Sequence, residues 1–446
     1  MTPDDPATAG MAPHAPVAGR LAPLLPAIVS SILPVFLVGA LVGPMGDELG
    51  YRETTAGVLM AAFFAVSALV ARRAGSIADS IGPITALQLG LAGSAVVAAV
   101  IAVAADSAVL LGATMMIGGG CNALTQVAAN VYLARYLPVH RHGVAFAVKQ
   151  SANPGGAMVA GVLLPSLVLN LGWRSAFVVA AVGSGGSAWA LASARSWPVV
   201  PGSGGPPSPP DTGGSSSDPN PTIDASSGGR RDRALLLVAA SAAFGSASAV
   251  ALGGFFVESA RDAGVGLGAA GLAASLGSAT AIAGRLVVGV RADRVQADPR
   301  RILGWIAAML VTGSAALLLC GVRAPWAQWL ALPLAYGAGW AWPGVFNLAV
   351  VRARPDQPGR ATGVSQTGIY VGTTVGPLVL GAVSERAGYQ VTWSLAAGLA
   401  CVGAAGMIAA RSRLVGREGT DDGGPGQRLA PRTSAGLRVG DDGVAP

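Results

Sequence analysis

The chain has 446 residues, of which 52% are hydrophobic, only 11% are charged and 64 are glycine. A soluble domain carries about 25% charged residues and a disordered chain fewer apolar ones, so this balance excludes both and leaves a chain that crosses a bilayer many times. The net charge of +7 comes from basic residues set singly or in twos and threes between apolar runs, without the continuous stripe and interleaved aromatics of a nucleic-acid face.

Residues 1–22 place Asp4 and Asp5 ahead of any basic residue and lack the apolar stretch of a signal peptide, so they are expected to form a disordered tail. Apolar runs follow at about 23–46, 55–74, 84–104, 108–134, 144–168 and 175–194, six spans within 23–195. Residues 196–233, whose core is PGSGGPPSPPDTGGSSSDPNPTIDASSGG, are too rich in Pro, Gly and Ser to bury a core and are expected to be a flexible linker. Six further runs lie at about 235–257, 269–288, 302–322, 327–351, 361–384 and 392–411, within 234–412, and residues 413–446 form a second polar tail. The expected fold is therefore all-α, an integral membrane protein of twelve transmembrane helices in two six-helix bundles. Cys121, Cys320 and Cys401 each sit inside an apolar run, with neither disulfide nor zinc spacing.

Positive charge stays on the cytoplasmic side. With both termini, the linker and the tails inside the cell membrane, the 28 arginines divide into 23 cytoplasmic and five external (Arg52, Arg174, Arg261, Arg323, Arg386). Most tryptophans fall near span ends, as interfacial anchors do, but Trp340 and Trp342 fall in the middle of span ten.

The halves repeat one another. Gly50, Gly57, Gly75 and Asp79 recur 214 positions on as Gly264, Gly271, Gly289 and Asp293. Asn130, Arg135 and Pro138 recur 217 positions on as Asn347, Arg352 and Pro355, and Gln150, Gly156 and Gly172 recur 216 positions on as Gln366, Gly372 and Gly388. Because each half has an even number of spans, the copies share one orientation, a parallel repeat about an axis normal to the membrane.

Between spans two and three, Gly75-Ser-Ile-Ala-Asp79-Ser-Ile-Gly82 resembles the G-x-x-x-D-r-x-G loop of the major facilitator superfamily, and Gly289-Val-Arg-Ala-Asp293-Arg294 is its second copy. The first copy departs from the family pattern at Ser80 and at Pro83-Ile84. The resemblance implies a cavity where spans one, two, four and five face seven, eight, ten and eleven. It also implies a gating role for Asp79, Asp293 and Arg294. Physically, a carboxylate at such a tight loop can accept hydrogen bonds from a helix N-terminus or an arginine in one of two bundle orientations.

Polar residues inside spans are costly and mark cavities or interhelical bonds. Lys149, the only lysine, lies about six residues into span five beside Gln150. Its stem can snorkel to the cytoplasmic interface, or its ammonium can meet a substrate. Gln150 repeats as Gln366 whereas Lys149 maps onto Ser365, an asymmetry that suits a substrate with one anionic end. Asn122, Gln126 and Asn130 recur every four residues on one face of span four, Trp340 and Asn347 lie in span ten, and Gln366 and Tyr370 in span eleven. These residues are the expected substrate site. Arg285, near the inner end of span eight, reads first as a snorkelling residue and second as a substrate contact.

No Asp or Glu lies deep in a span: Asp47 and Glu48 close span one, Glu258 closes span seven and Glu385 follows span eleven. Buried carboxylates are the usual proton relays and cation partners, so export of cations is disfavoured. No catalytic constellation, phosphate loop or metal spacing stands out, so no enzyme activity and no cofactor is expected. The leading expectation is a secondary transporter of a small organic solute, an anion, working by alternating access. Its expected partners are that solute, the bilayer and a coupling ion such as the proton, with neither nucleic acid nor an obligate protein. Efflux of a neutral or hydrophobic drug, and a non-transporting sensor on the same scaffold, are the alternatives.

Overall fold

The computed structural model describes residues 17–51, 53–163, 167–192 and 225–413. Residues 1–16 and 414–446 of the expected tails, most of the linker and part of span five's outer end lie outside these residues, and Val17–Leu21, expected to be disordered, is helical. A short helix, Val17–Leu21, leads into α1 (Leu24–Ala40), beyond which Val42–Leu49 forms a further short helix. Next come α2 (Glu53–Ser80), α3 (Pro83–Ala104), α4 (Ala108–Tyr136), α5 (His142–Leu163) and α6 (Arg174–Ala190). The second half opens with α7 (Ala225–Asp262), whose first turns occupy the end of the segment read as linker. It continues through α8 (Leu267–Arg294), α9 (Pro299–Cys320) and a discontinuous α10, made of Pro325–Leu334, a π-helical turn Ala335–Gly339 and Pro343–Ala353. Residues 358–413 run on as one hydrogen-bonded helix broken at Gly388 into α11 (358–387) and α12 (389–413).

Eight of these helices are long and apolar enough to cross a membrane, and the last of them, Pro358–Arg413, holds two spans. With α5, α6 and the broken α10, the spans among the described residues number twelve.

The repeated glycines have a conformational reason. Gly50 and its mate Gly264 have φ of 69° and 90°, and Gly172 and its mate Gly388 have φ of 78° and 77°. Each ends one span and turns the chain into the next through a backbone shape that a Cβ disfavours. Helix starts repeat as well. α3 and α9 both begin with proline, after Gly82 and after Asp298 respectively, and Asp298 accepts a hydrogen bond from the Arg301 amide at 2.9 Å.

Packing divides the molecule into a joined end and a separated end. One core draws on both halves: Leu24, Leu87, Tyr132 and Phe146 pack with Ile302, Leu303, Trp342 and Met407. Two other cores each belong to one half, Leu33, Phe63, Ile101 and Phe177 in the first and Phe256, Leu317, Tyr336 and Trp393 in the second. The shared core lies toward Asp79 and Asp293, here named the latch face; the private cores lie toward the opposite, far face. Side chains such as Leu69, Val103, Val109 and Trp189 are largely exposed on the perimeter, as helices facing acyl chains allow.

At the far face polar bonds stay within a half. In the second, Arg323 pairs with Asp262 at 3.0 Å and Trp393 Nε1 donates to Ser259 at 2.7 Å. In the first, Glu48 accepts hydrogen bonds from Trp173 Nε1 and Arg174 Nη2, both at 2.7 Å, while Arg174 also donates to the Ala105 carbonyl at 3.0 Å. The Trp173 bond, followed by the Arg174 bond, holds the Glu48 carboxyl below its ordinary value of 4.5. A depressed folded-state pKa contributes stability above the unfolded value that is lost as pH falls through the folded one. Thermal melts of the wild type and Glu48→Gln should therefore differ by a constant amount at neutral pH and converge below pH 4.5. A gap that persists unchanged in acid would refute the role of this carboxylate.

Candidate functional site

Two latches join the halves, and they are copies of each other. Asp79, at the end of α2, accepts from the Gly359 and Arg360 amides in the first turn of α11, at 3.2 and 2.9 Å, and pairs with Arg135 of α4 at 3.1 Å. Asp293, near the end of α8, accepts from the Gly143 and Val144 amides in the first turn of α5, at 2.6 and 2.8 Å, and lies 3.9 Å from Arg352 of α10. Each carboxylate thus caps a helix N-terminus belonging to the other half, where unpaired amides and the helix dipole favour negative charge. Glycine permits the approach: a Cβ on Gly289 would stand 2.6 Å from the Gly143 carbonyl oxygen, and one on Gly75 would overlap that of Gly359. Arg294 is exposed and makes no bond in either latch among the described residues. The arginines that do, Arg135 and Arg352, were visible in the sequence only as a repeated pair.

One to two turns deeper lies a polar layer. Asn130 and Asn347 stand five residues before Arg135 and Arg352, about 7–8 Å along their helices. Both are wholly buried, and neither amide group finds a partner among the described residues. On the same face of α4, Gln126 is buried and Asn122 donates to the Tyr370 hydroxyl at 3.3 Å while lying 3.4 Å from the Ser31 hydroxyl. Gln366, one turn before Tyr370 on α11, is buried as well, and its Oε1 finds no partner among the described residues. The Phe64 ring stacks on Tyr370 at 6.2 Å. Asn122, Gln366 and Tyr370 are thus one uncharged cluster that joins α4 to α11.

A second cluster joins α5, α8 and α10, and it is cationic. Lys149 is 1% exposed and its Nζ donates to Gln150 Oε1 at 3.1 Å, so it does not snorkel. The Gln150 carbonyl accepts from Arg285 Nη1 at 3.1 Å, and Arg285 Nη2 donates to the Trp340 carbonyl at 3.1 Å, with the guanidinium 5.5 Å from the Trp340 ring centre. Arg285 is 2% exposed, which corrects the reading of it as a snorkelling residue. The bent α10 makes this contact possible. Pro333, the π turn with Gly337 and Gly339, and Pro343 interrupt the helix at midspan, and the interruption frees the Trp340 carbonyl. Among the described residues neither buried cation pairs with a carboxylate. Two buried positive charges from opposite halves therefore bond to one glutamine, Lys149 to its side-chain oxygen and Arg285 to its main-chain carbonyl, in a setting where each retains an unmet preference for negative charge.

No three His, Cys, Asp or Glu side chains come together to hold a metal among the described residues. No curated protein sequence matches the chain. Among solved structures it is similar to the human organic anion transporter MFSD10 (TETRAN), with 18% identity and a TM-score of 0.67 over 88% of this chain and all of that one. It is also similar to FucP, a major facilitator superfamily transporter in its outward conformation, with 17% identity and a TM-score of 0.64 over 88% of this chain and 98% of that one. A second structure of FucP, the E. coli fucose:proton symporter, matches at 18% identity and a TM-score of 0.61, again over 88% and 98% of the two chains. The family model described as Major Facilitator Superfamily matches residues 24–377 and 260–434. With its twelve helices, its parallel repeat and its duplicated latch, the chain belongs to the major facilitator superfamily.

Proposed function

We propose that this transporter moves a small organic anion across the cell membrane by alternating access. The observation that carries the reading is the pair of buried, carboxylate-free cations, Lys149 and Arg285, converging on Gln150 from opposite halves. An anion held there gains charge-assisted hydrogen bonds in a dry setting and relieves the burial of both groups. Binding that bridges α5 and α8 also ties substrate to the orientation of the bundles. The Asn122–Gln366–Tyr370 cluster with Phe64, across the axis, suits the uncharged part of the solute, and Trp340 offers a ring beside the cationic end. Gln126, Asn130 and Asn347 supply further hydrogen bonds as the latch face opens. In this reading Asp79 and Asp293 hold the latch face shut while the far face admits solute. Two structural relatives agree with it: MFSD10 is an organic anion transporter, and FucP adopts an outward conformation.

The arginine distribution supports a cytoplasmic latch face and cytoplasmic termini. Solute charge, rather than a buried carboxylate, then couples transport to the membrane potential, with a proton as the alternative coupling ion.

The test is a thermal-shift screen of the purified full chain against organic anions and their uncharged amides or esters. Binding to the native state raises apparent stability by mass action, by about 2.7 kcal/mol at a hundredfold excess over Kd. The anions should stabilise and the matched neutral compounds should not. Stabilisation by the neutral forms alone would overturn the anion reading in favour of drug efflux.

A further inference from the structure

The latch face carries a concentration of charge that the latches do not use. Arg291 of α8 and Arg301 of α9 both lie over the Trp305 ring, at 5.7 and 6.0 Å from its centre. Arg411 of α12 reaches the same corner, its Nη1 lying 3.1 Å from where a Cβ on Gly304 would stand. All three guanidiniums are exposed while Trp305 is half-buried. Among the described residues, the carboxylates next to Arg291 and Arg301 in the chain are engaged elsewhere: Asp293 in its latch and Asp298 in capping the Arg301 amide. The indole face attracts each cation, but like charges gathered there repel one another, and an anion among them would offset that repulsion.

The general preference for arginine on one face of a membrane protein does not account for this gathering. The internal repeat supplies the control. At the corresponding corner of the first half, Arg291 maps onto Ile77 at a displacement of 214, and Arg301 and Trp305 map onto Thr85 and Leu89 at the displacement of 216 that aligns Pro299 with Pro83. The two corners lie on the same membrane face, so topology alone would load both equally. Arg291, Arg301 and Trp305 are peculiar to the second half, while Arg411 matches Arg195 at the displacement of 216.

Directly deeper on the same helix stripes the surface becomes apolar. Val287, one turn before Arg291, is 66% exposed, and Ile408, one turn before Arg411, is 55% exposed. A cationic rim, an indole at interfacial depth and an apolar floor match a phosphate ester carrying acyl chains rather than a soluble phosphate.

We propose that the corner formed by α8, α9 and α12 is a binding site for an anionic phospholipid of the latch-face leaflet, with the headgroup phosphate among Arg291, Arg301 and Arg411 and an acyl chain along Val287 and Ile408. The site is separate from the transport pathway and does not depend on the solute.

The experiment is native mass spectrometry of the full chain released from micelles containing equal phosphatidylglycerol and phosphatidylcholine. Each arginine near an anionic lipid is worth about a fivefold gain, so three give a preference of order 100-fold for phosphatidylglycerol. In Arg291→Gln/Arg301→Gln/Arg411→Gln the preference should fall to within a few-fold of unity, and in Arg291→Gln alone it should fall about fivefold. The single variant keeps the test open if the triple variant does not fold. Arg72→Gln/Arg73→Gln, which removes two exposed arginines of α2 at the same face, should leave the preference unchanged. An equal loss in that control would show a diffuse surface effect and overturn the site. Displacement of the retained lipid by glycerol phosphate at comparable concentration would show a soluble anion as the ligand and overturn the lipid assignment.

Discussion

Lys149→Met should abolish uptake of the anion identified by the screen and, at the same time, make the folded protein more stable. A charge-assisted hydrogen bond is worth about 2–3 kcal/mol, so affinity should fall about 30- to 150-fold. Burial of the ammonium without a carboxylate costs folding free energy, and an apolar chain of similar length removes that cost while filling the same space. The stabilisation expected is about 1–4 kcal/mol, read as a rise in melting temperature of the purified variant. Opposite signs for the two measurements separate a binding residue from a packing residue, because loss of packing would lower both. Unchanged uptake, or lost uptake with lowered stability, would sink the assignment. Arg285→Met should behave in the same direction, with a smaller gain in stability, because it also releases the Gln150 and Trp340 carbonyls that Arg285 now satisfies.

Asp79→Asn with Asp293→Asn should open the latch face. Asparagine keeps the shape of the carboxylate, yet it loses the charge that holds two backbone amides and an arginine at each latch. The arginines left behind are only 11% and 12% exposed, so each becomes a largely buried cation that has lost its latch carboxylate. A change of about 1.4 kcal/mol per latch shifts the two-state balance tenfold, and because the latches lie on different helix pairs their effects should add to about a hundredfold. Labelling by a membrane-impermeant thiol reagent reads this directly. With Cys121, Cys320 and Cys401 replaced by serine and Ala134→Cys introduced on α4, where Ala134 is now buried, labelling from the latch face should accelerate in each single variant and most in the double. Transport should fall because one of the two end states is depleted. Transport lost without faster labelling would mean that the carboxylates act elsewhere.

Much of the architecture was legible because it rests on local chemistry. Glycines repeated at a constant displacement mark the left-handed turns at Gly50, Gly264, Gly172 and Gly388, and a backbone conformation that only glycine readily adopts leaves its trace in any sequence. The latch carboxylates were legible for the same reason, since a tight loop needs small residues next to the acid. Their partners were not. Arg135 and Arg352 recur in register, but no spacing along a helix tells which neighbouring helix a side chain meets. Arg285 was discounted on depth alone. A residue near the end of a span can reach water by its own length, yet the carbonyls of Gln150 and Trp340 offered this one a nearer partner. Trp340 and Trp342 stood out at midspan, but the break in α10 that frees the Trp340 carbonyl depends on where Gly337 and Gly339 can pack against α8 and α9.

The sequence by itself determined that the chain crosses a membrane twelve times in two parallel copies, because a polar backbone buried in lipid must satisfy its hydrogen bonds within long apolar helices, which leave a legible record. It also singled out one lysine and a few amides as polar chemistry inside the spans. Only the tertiary structure decided that the halves are joined at the face of Asp79 and Asp293 and have separate cores at the other. It alone brought Lys149 and Arg285, 136 positions apart in the chain, to the same glutamine. The physical reason is that helix formation is settled within a span, whereas charge pairing is settled between spans, by which helices pack side by side.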